Sequence, residues 1–241
     1  MPSTLGQTLF KTWLSFMLLL SASGSWALAF TPIEMDFTPS GRGSTQIYRL
    51  ENTLQEPVAV EISVKHRAMA INGDDELTDA DDDFNIFPAQ VVLRPGQVQT
   101  VRVQYNGPAS LNTEKAYRLI AEQLPIDIGQ APQNGGRMRL LIKYVTSLYV
   151  VPSGVRANVR LMQTRLVTDE GKPWLELLLK NEGTSRRVLK DVKVQVGGHT
   201  LQGDDLKGLD GENLLAQTQR WFRVAAPKDL NSTQDLQLRL P

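Results

Sequence analysis

The chain has 241 residues, of which 41% are apolar and 22% are charged, which is enough apolar material for one large or two ordinary packed domains. Lys plus Arg and Asp plus Glu are equal at 26 each, so the basic surplus of a phosphate-backbone binder is missing and we expect no nucleic-acid partner. The absence of cysteine excludes disulfide scaffolds, thiolate metal sites and cysteine nucleophiles, and the two histidines are too few for a multi-histidine metal site.

Residues 1–29 have the pattern of a secretory signal peptide. Lys11 supplies a positive charge, and residues 14–20 (LSFMLLL) form an apolar run shorter than the about 20 residues that a membrane-spanning helix needs. Ala27-Leu28-Ala29 is a small-x-small cleavage site, which favours cleavage over the alternative of a membrane anchor. We therefore expect a mature chain that starts at Phe30, is not inserted in a membrane and is exported to a Gram-negative periplasm.

The next part of the chain consists of short segments in which apolar and polar residues alternate. Such segments, separated by turn signals, are typical of antiparallel β-strands. The predicted strands cover residues 46–50, 58–65, 90–93, 98–105, 117–124 and 138–151. Arg94-Pro95-Gly96 is a turn signal, and residues 129–136 form a polar loop rich in Gly and Pro. This spacing favours an immunoglobulin-type β-sandwich over residues 30–152.

Pro152-Ser153-Gly154 is a candidate linker, after which the alternating pattern starts again. The further predicted strands are residues 155–166, 174–179, 188–196 and 218–224, with a last short strand around residues 236–240. We therefore predict an all-β chain with two immunoglobulin-like β-sandwich domains, residues 30–152 and residues 153–241.

No motif of the chain carries recognisable chemistry. The acidic run 74–83 lacks the glycine that a calcium loop starting at Asp79 needs at its sixth position, where Phe84 stands, so a solvated hairpin loop is favoured. Gly41-Arg42-Gly43-Ser44 lacks the lysine of a phosphate-binding loop, and neither histidine lies in a nucleophile motif. We predict no enzyme, no metal site and no cofactor.

Several segments of the first predicted domain occur in a characteristic order. They are the strand ending at Asn52, Phe87-Pro88, residues 93–103, residues 117–125 (YRLIAEQLP) and residues 142–152 (IKYVTSLYVVP). In this order and spacing they resemble the PapD-like periplasmic pilus chaperones of the chaperone–usher pathway. The second domain matches only loosely, through residues 179–181 and the strand at Trp221. Residues 40–43 and 145–149 look closer to the archaic, Csu-like branch.

The resemblance implies two immunoglobulin-like domains in an L-shaped arrangement and a chaperone that lends a strand to incomplete pilus subunits. The implied partners are pilus subunits, bound by donor-strand complementation, and the outer-membrane usher to which they are delivered. An exported structural or adhesive immunoglobulin-like protein of a surface appendage is the alternative. A hydrolase on a β-sandwich is a third hypothesis, for which the sequence offers no acid–base constellation.

The resemblance places a donor strand just before the domain boundary. Its subunit-binding residues would be Met138, Leu140, Ile142 and Tyr144. Periodicity alone favours the alternative, in which these side chains face the protein's own core. The resemblance reverses this preference for Met138, Leu140 and Ile142. Leu141 breaks the alternation, and we expect it to face inward together with Val145. An apolar edge would also permit self-association through this strand.

The best-known branch of the family binds the C-terminal carboxylate of the subunit with an arginine on the first strand and a lysine late in the donor strand. Alignment puts Asp36 and Ser147 at these positions, so both basic residues are missing. The resemblance to the archaic branch implies another arginine, because a carboxylate in the cleft needs a charged partner. We predict Arg118 as this anchor, Lys143 second and Arg102 third; the alternative for each is an ordinary exposed strand charge.

Overall fold

The computed structural model describes residues 28–125 and 141–240. These two segments form β-strands, turns and three short 3-10 turns, with no α-helix among them, so the predicted all-β class is confirmed. The strands of the first domain are β1 (Leu28–Thr31), β2 (Glu34–Phe37), β3 (Thr45–Asn52), β4 (Val58–Met69), β5 (Asp75–Asp79), β6 (Phe84–Phe87), β7 (Gln90–Leu93), β8 (Val98–Tyr105), β9 (Lys115–Gln123) and β10 (Lys143–Val150). No helix in the described part of the chain is long and apolar enough to cross a bilayer.

The first domain is a sandwich of two sheets. One sheet has the order β1-β3-β8-β6, and the other has the order β2-β10-β9-β4-β5, with β7 beside the first half of β4. All pairs are antiparallel except β2 and β10, which run parallel. Alternate residues of the long strands fill the space between the sheets, and the largest fully buried ones include Tyr48, Leu50, Tyr117, Leu119 and Leu148.

Alternation predicted the long strands and the short strand β7, and missed the other short strands of the first domain, β1, β2, β5 and β6. β3, β4, β8 and β9 lie within a few residues of their predicted bounds because one face of each is buried. The acidic segment that we predicted as a loop contains β5, whose five residues are all exposed. Its pairing with β4 comes from backbone hydrogen bonds, which leave no periodicity in the side chains.

The N-terminal strand includes residues that the predicted cleavage would remove. Leu28 and Ala29 pair with Asn52 and Glu51, and the side chain of Leu28 is fully buried. The rest of the predicted signal peptide, residues 1–27, lies outside the described residues, and export stays a prediction.

The second domain is built in the same way from eight strands. They are β11 (Val159–Asp169), β12 (Lys172–Asn181), β13 (Arg187–Val188), β14 (Lys193–Val196), β15 (His199–Gln202), β16 (Asn213–Leu214), β17 (Gln219–Ala225) and β18 (Gln237–Arg239). The sheet orders are β11-β12-β17 and β15-β14-β18, with β13 and β16 forming a separate pair. The core includes Leu175, Leu177, Leu179, Phe222 and Val224. Two immunoglobulin-like sandwiches are thus present, and the predicted boundary at residue 152 falls between β10 and β11.

Each domain has a buried asparagine at the end of a long strand. Asn52 donates hydrogen bonds to the carbonyls of Glu56 and Leu93 at 2.9 and 3.1 Å. Asn181 donates to the carbonyl of Ser185 at 2.8 Å and accepts from the amides of Asn158 and Gly183 at 3.0 Å. Both side chains satisfy loop backbone groups that would otherwise be buried without partners.

The two domains contact each other directly. The amide of Trp221 donates to the carbonyl of Ile71 at 2.8 Å, and the amide of Glu114 donates to the carbonyl of Thr184 at 2.9 Å. Tyr149, from the end of β10, is buried in the core of the second domain rather than in that of the first. The C-terminal end of β10 is therefore fixed between both sandwiches.

Candidate functional site

The first half of β10 has two different faces. Ile142, just before the strand, and Tyr144 are partly buried and pack against the core of the first domain. The Tyr144 hydroxyl donates to the carbonyl of Leu28. Leu141 and Val145 are 44% and 48% exposed, so the expectation that they face inward is wrong. In the register with β9, Val145 is opposite Ile120, and the odd-numbered residues of β10 face away from the core of the first domain.

Only part of the predicted donor strand can be placed. Met138 and Leu140 lie outside the described residues. Ile142 and Tyr144 lie on one face, as their spacing of two residues requires. They form the described end of the predicted row.

One edge of β10 is only half covered. β9 pairs with all of β10, from Lys143 to Val150, whereas β2 pairs only with residues 147–150. The amide of Ser147 donates to the carbonyl of Ile33, and this is where the cover begins. Among the described strands none pairs with the outer edge of residues 143–146. Such an edge presents unpaired backbone groups to another chain.

Arg118, the first predicted anchor, lies beside this strand. It is the β9 residue opposite Ser147, and its Nη1 donates to the Ser147 hydroxyl at 2.5 Å. Its Nε and Nη2 both contact Oδ2 of Asp75 at 2.7 Å. The side chain is 18% exposed, so the guanidinium is held in place rather than solvated as a free surface charge.

A second arginine shares the same carboxylate. Arg67 Nε donates to the other oxygen of Asp75, Oδ1, at 2.6 Å, and Arg67 Nη1 donates to the Tyr149 hydroxyl at 3.2 Å. Burial disfavours the ionised form of Asp75, but the hydrogen bonds from Arg118 and Arg67 outweigh it, and the pKa of this carboxyl lies below its ordinary value. Asp75 is therefore ionised at neutral pH, and the cluster keeps one positive charge in excess.

A third arginine reaches the junction from the second domain. Arg186 contacts Asp36 at 2.8 Å and Glu114 at 3.1 Å, and its guanidinium lies 3.7 Å above the Tyr149 ring. Burial lowers the pKa of Arg186, but Glu114 and Asp36 raise it by more, and the net pKa is above the ordinary value. This guanidinium links the two domains and is already surrounded by carboxylates.

The two positions at which the best-known branch carries basic residues are both contacted by arginines from elsewhere. Asp36 is paired with Arg186, and Ser147 is hydrogen-bonded to Arg118. Each of these two positions is thus contacted by a guanidinium, which β9 supplies at Ser147 and the loop before β13 supplies at Asp36.

The other two candidate anchors lie elsewhere. Lys143 pairs with Glu122 at 3.0 Å, and both side chains are 51% exposed. Glu122 is four residues from Arg118 along β9, about 13 Å at the rise of a strand, so Lys143 and Arg118 are not brought together. Arg102 lies on the other sheet, opposite Ile47 and Phe87.

Sequence reasoning missed Arg67, Asp75, Tyr149 and Arg186. A signal existed for Tyr149, which follows Ser147 by two residues and so shares its face of β10. Nothing in the sequence pairs Arg186 with Asp36, because 150 residues separate them. In the described segments, no group of three metal-ligating side chains is found.

Comparisons with known proteins agree with this architecture. The chain has two immunoglobulin-like sandwiches, and β2 covers only half of one edge of the strand at their junction, β10. Residues 38–156 match the family model described as pili and flagellar-assembly chaperone, PapD N-terminal domain. No curated protein sequence matches the chain.

Solved structures of pilus chaperones share the fold. A chain of the CsuC–CsuE chaperone–tip adhesion subunit pre-assembly complex of archaic Csu pili from Acinetobacter baumannii is 14% identical, with a TM-score of 0.57 over 88% of this chain and 97% of that one. The class 5 fimbriae chaperone CfaA is 15% identical, with a TM-score of 0.55 over 89% and 100%. A chain of the Salmonella enterica SafA pilin–SafB chaperone complex is 14% identical, with a TM-score of 0.52 over 91% and 99%. At these identities the likeness shows the fold.

Proposed function

We propose that this protein is a periplasmic chaperone that binds pilus subunits by donor-strand complementation and delivers them to an outer-membrane usher. The observation that carries the proposal is the half-covered edge of β10, in a domain that matches the PapD N-terminal family. An open strand edge is the feature that strand addition requires. Export to the periplasm is expected from the signal-peptide pattern of residues 1–29, and delivery to an usher is expected from the resemblance.

Strand addition explains how such a protein would bind. The backbone of β10 and of the residues before it would hydrogen-bond to the subunit, and Met138, Leu140 and Ile142 would fill the groove that its missing strand leaves. Ile142 and Tyr144 already pack in part against the first domain, so they would form the end of the row. Tyr144 would be its last member, because its hydroxyl also donates to the carbonyl of Leu28. Burial of apolar area, at roughly 25 cal/mol per Å² before ordering costs, would supply much of the affinity without a catalytic step.

The C-terminal carboxylate of the subunit would bind Arg118. The Asp75 cluster carries one positive charge in excess, at the place where β10 enters the junction. A charge-assisted hydrogen bond in a partly buried site is stronger than one on the open surface. Lys143 is a weaker candidate, because it is half-exposed and paired with Glu122.

We assign the protein to the archaic, Csu-like branch as part of the same proposal. Support comes from Asp36 and Ser147, which stand where the best-known branch has basic residues. We further propose that free chains self-associate through the open edge, which sedimentation of the purified protein would test.

The experiment that tests the function is co-expression of the full chain with candidate pilus subunits in a Gram-negative periplasm. We expect a small β-rich subunit to co-purify in one-to-one stoichiometry and to aggregate when the chaperone is omitted. Export of the protein without any captured subunit would contradict the proposal and favour the alternative, an exported structural or adhesive component of a surface appendage.

A further inference from the structure

One carboxylate on the β4–β5 hairpin is gripped by two arginines from neighbouring strands. Asp75 Oδ1 contacts Arg67 Nε at 2.6 Å, and Asp75 Oδ2 contacts Arg118 Nε and Nη2 at 2.7 Å. Each carboxylate oxygen of Asp75 therefore accepts hydrogen bonds from one guanidinium. The side chains of Arg67 and Arg118 are only 7% and 18% exposed, which makes this a built site rather than a group of surface charges.

The opposite ends of both guanidinium groups point at β10. Arg118 Nη1 donates to the Ser147 hydroxyl at 2.5 Å, and Arg67 Nη1 donates to the Tyr149 hydroxyl at 3.2 Å. Ser147 and Tyr149 are consecutive residues on one face of the strand. Two parallel contacts thus run from one carboxylate, through two arginines, to two hydroxyl groups.

This arrangement distinguishes a positioning carboxylate from a competing one. Asp75 occupies the Nε side of both arginines and leaves their Nη1 groups directed at the hydroxyl groups of Ser147 and Tyr149. Tyr149 is buried, and its hydroxyl also accepts from Asn213 at 2.8 Å. A carboxylate oxygen would therefore replace the Ser147 hydroxyl first and reach Arg67 only by displacing the Tyr149 contact. A guanidinium has five N–H donors, so each arginine can hold Asp75 and a second carboxylate at the same time. The excess positive charge of the cluster favours that second carboxylate.

We propose that Asp75 is the positioning residue of a two-arginine carboxylate site, and that Arg67 binds the carboxylate together with Arg118. The inference rests on the proposed function, since the carboxylate would be the C-terminus of a subunit. Asp75 keeps two like charges close together and removes the side-chain freedom that long arginines would lose on binding. Arg67 is the residue that the sequence did not suggest.

The test uses a small carboxylate on the full chain. N-acetylglycine and its amide are titrated into the protein, and the Nε–Hε NMR signals of Arg67 and Arg118 are followed. We expect both signals to shift with the carboxylate and not with the amide. Asp75→Asn, which keeps the shape and removes the charge, should weaken N-acetylglycine binding about tenfold, and Asp75→Glu should restore part of it.

The same strand offers a matched control. Asp79 is also on β5 and pairs with Lys65, outside the cluster. Asp79→Asn should therefore leave the affinity for N-acetylglycine unchanged. A thermal melt of each variant checks that the fold is intact, and the response of Arg118 in Asp75→Glu keeps the test valid if Asp75→Asn melts early.

Two results would overturn the inference. N-acetylglycine binding by Asp75→Asn that is as tight as in the parent, or tighter, would make Asp75 a bystander or a competitor. An Arg67 signal that does not move while that of Arg118 does would remove Arg67 from the site. Subunit capture by the parent, measured in parallel, separates the two proposals: capture without Asp75-dependent N-acetylglycine binding overturns only this inference, whereas Asp75-dependent binding without capture overturns only the chaperone function.

Discussion

The two halves of β10 belong to the same strand and have opposite surroundings. Residues 143–146 have β9 on one side and an uncovered edge on the other, and Val145 points to solvent. Residues 147–150 lie between β9 and β2, and three of these four residues are buried. The first half is available to a partner, and the second half is fixed by both domains.

This difference explains how the open edge of β10 could bind a partner strand in a single register. Side chains along a strand alternate with a period of two, so a slip of one residue turns every side chain to the wrong face. An added strand could slide along an edge that offers only backbone groups. The arginine cluster at the covered end supplies a fixed charge, and a terminal carboxylate bound there would set the register of everything before it.

The largest expected effect comes from charges in the predicted donor strand, in the residues just before the open half of β10. Leu140→Asp with Ile142→Asp should abolish subunit capture, because two carboxylates would enter an apolar groove. The matched control is Leu141→Asp with Val145→Asp, which adds the same charges at two exposed side chains of the same segment. Co-purified subunit per folded chaperone is the measurement. Equal capture by both double variants would contradict the assignment of the donor face.

The next effect comes from the covered half. Arg118→Ala should weaken subunit capture by at least about tenfold, because a desolvated charge partner is lost. Lys143→Ala is the control on the open half, since Lys143 has only a half-exposed pair with Glu122. Binding to immobilised subunit gives both affinities. If the lysine variant loses more affinity than the arginine variant, Arg118 is not the anchor.

A smaller effect is expected on stability. Tyr149→Phe removes the hydroxyl that accepts from Arg67 at 3.2 Å and from Asn213 at 2.8 Å, and should lower the free energy of unfolding by about 1–3 kcal/mol. Tyr144→Phe removes one bond to a backbone carbonyl and should cost about 1 kcal/mol. Urea unfolding of the two variants compares the halves directly, and a larger loss for Tyr144→Phe would reverse the comparison.

The smallest effect is a pH dependence. The pKa of Asp75 is lower in the folded protein than the ordinary 3.8, so its ionisation stabilises the fold above pH 3.8 and this contribution is lost as the pH falls through the folded-state pKa. The stability difference between the parent and Asp75→Asn should therefore be constant near pH 6 and shrink as the pH falls from about 4.5 to 2.5. A difference that stays constant over this range would show that the charge of Asp75 contributes nothing.

Much of the fold could be predicted, because apolar and polar residues alternate along a long strand that has one buried face. β4 and β9 show this alternation, whereas β5 pairs through its backbone, has only exposed residues and shows none. Arg118 was predicted from a family resemblance, and its partner Ser147 follows from the register of β9 and β10. Arg67, Asp75 and Arg186 could not be predicted, since a hairpin and a second domain bring them to the strand from distant parts of the sequence.

The chain crosses from one sheet to the other between β1 and β2, and Ile33 lies in that crossing. Its carbonyl meets the amide of Ser147, so the point of crossing decides how much of β10 stays uncovered. A crossing two residues further along β10 would lengthen the uncovered edge by about 7 Å, and one two residues earlier would shorten it by as much. Insertions and deletions beside Pro32 would then change how many side-chain pockets a bound strand can fill, without altering either sandwich.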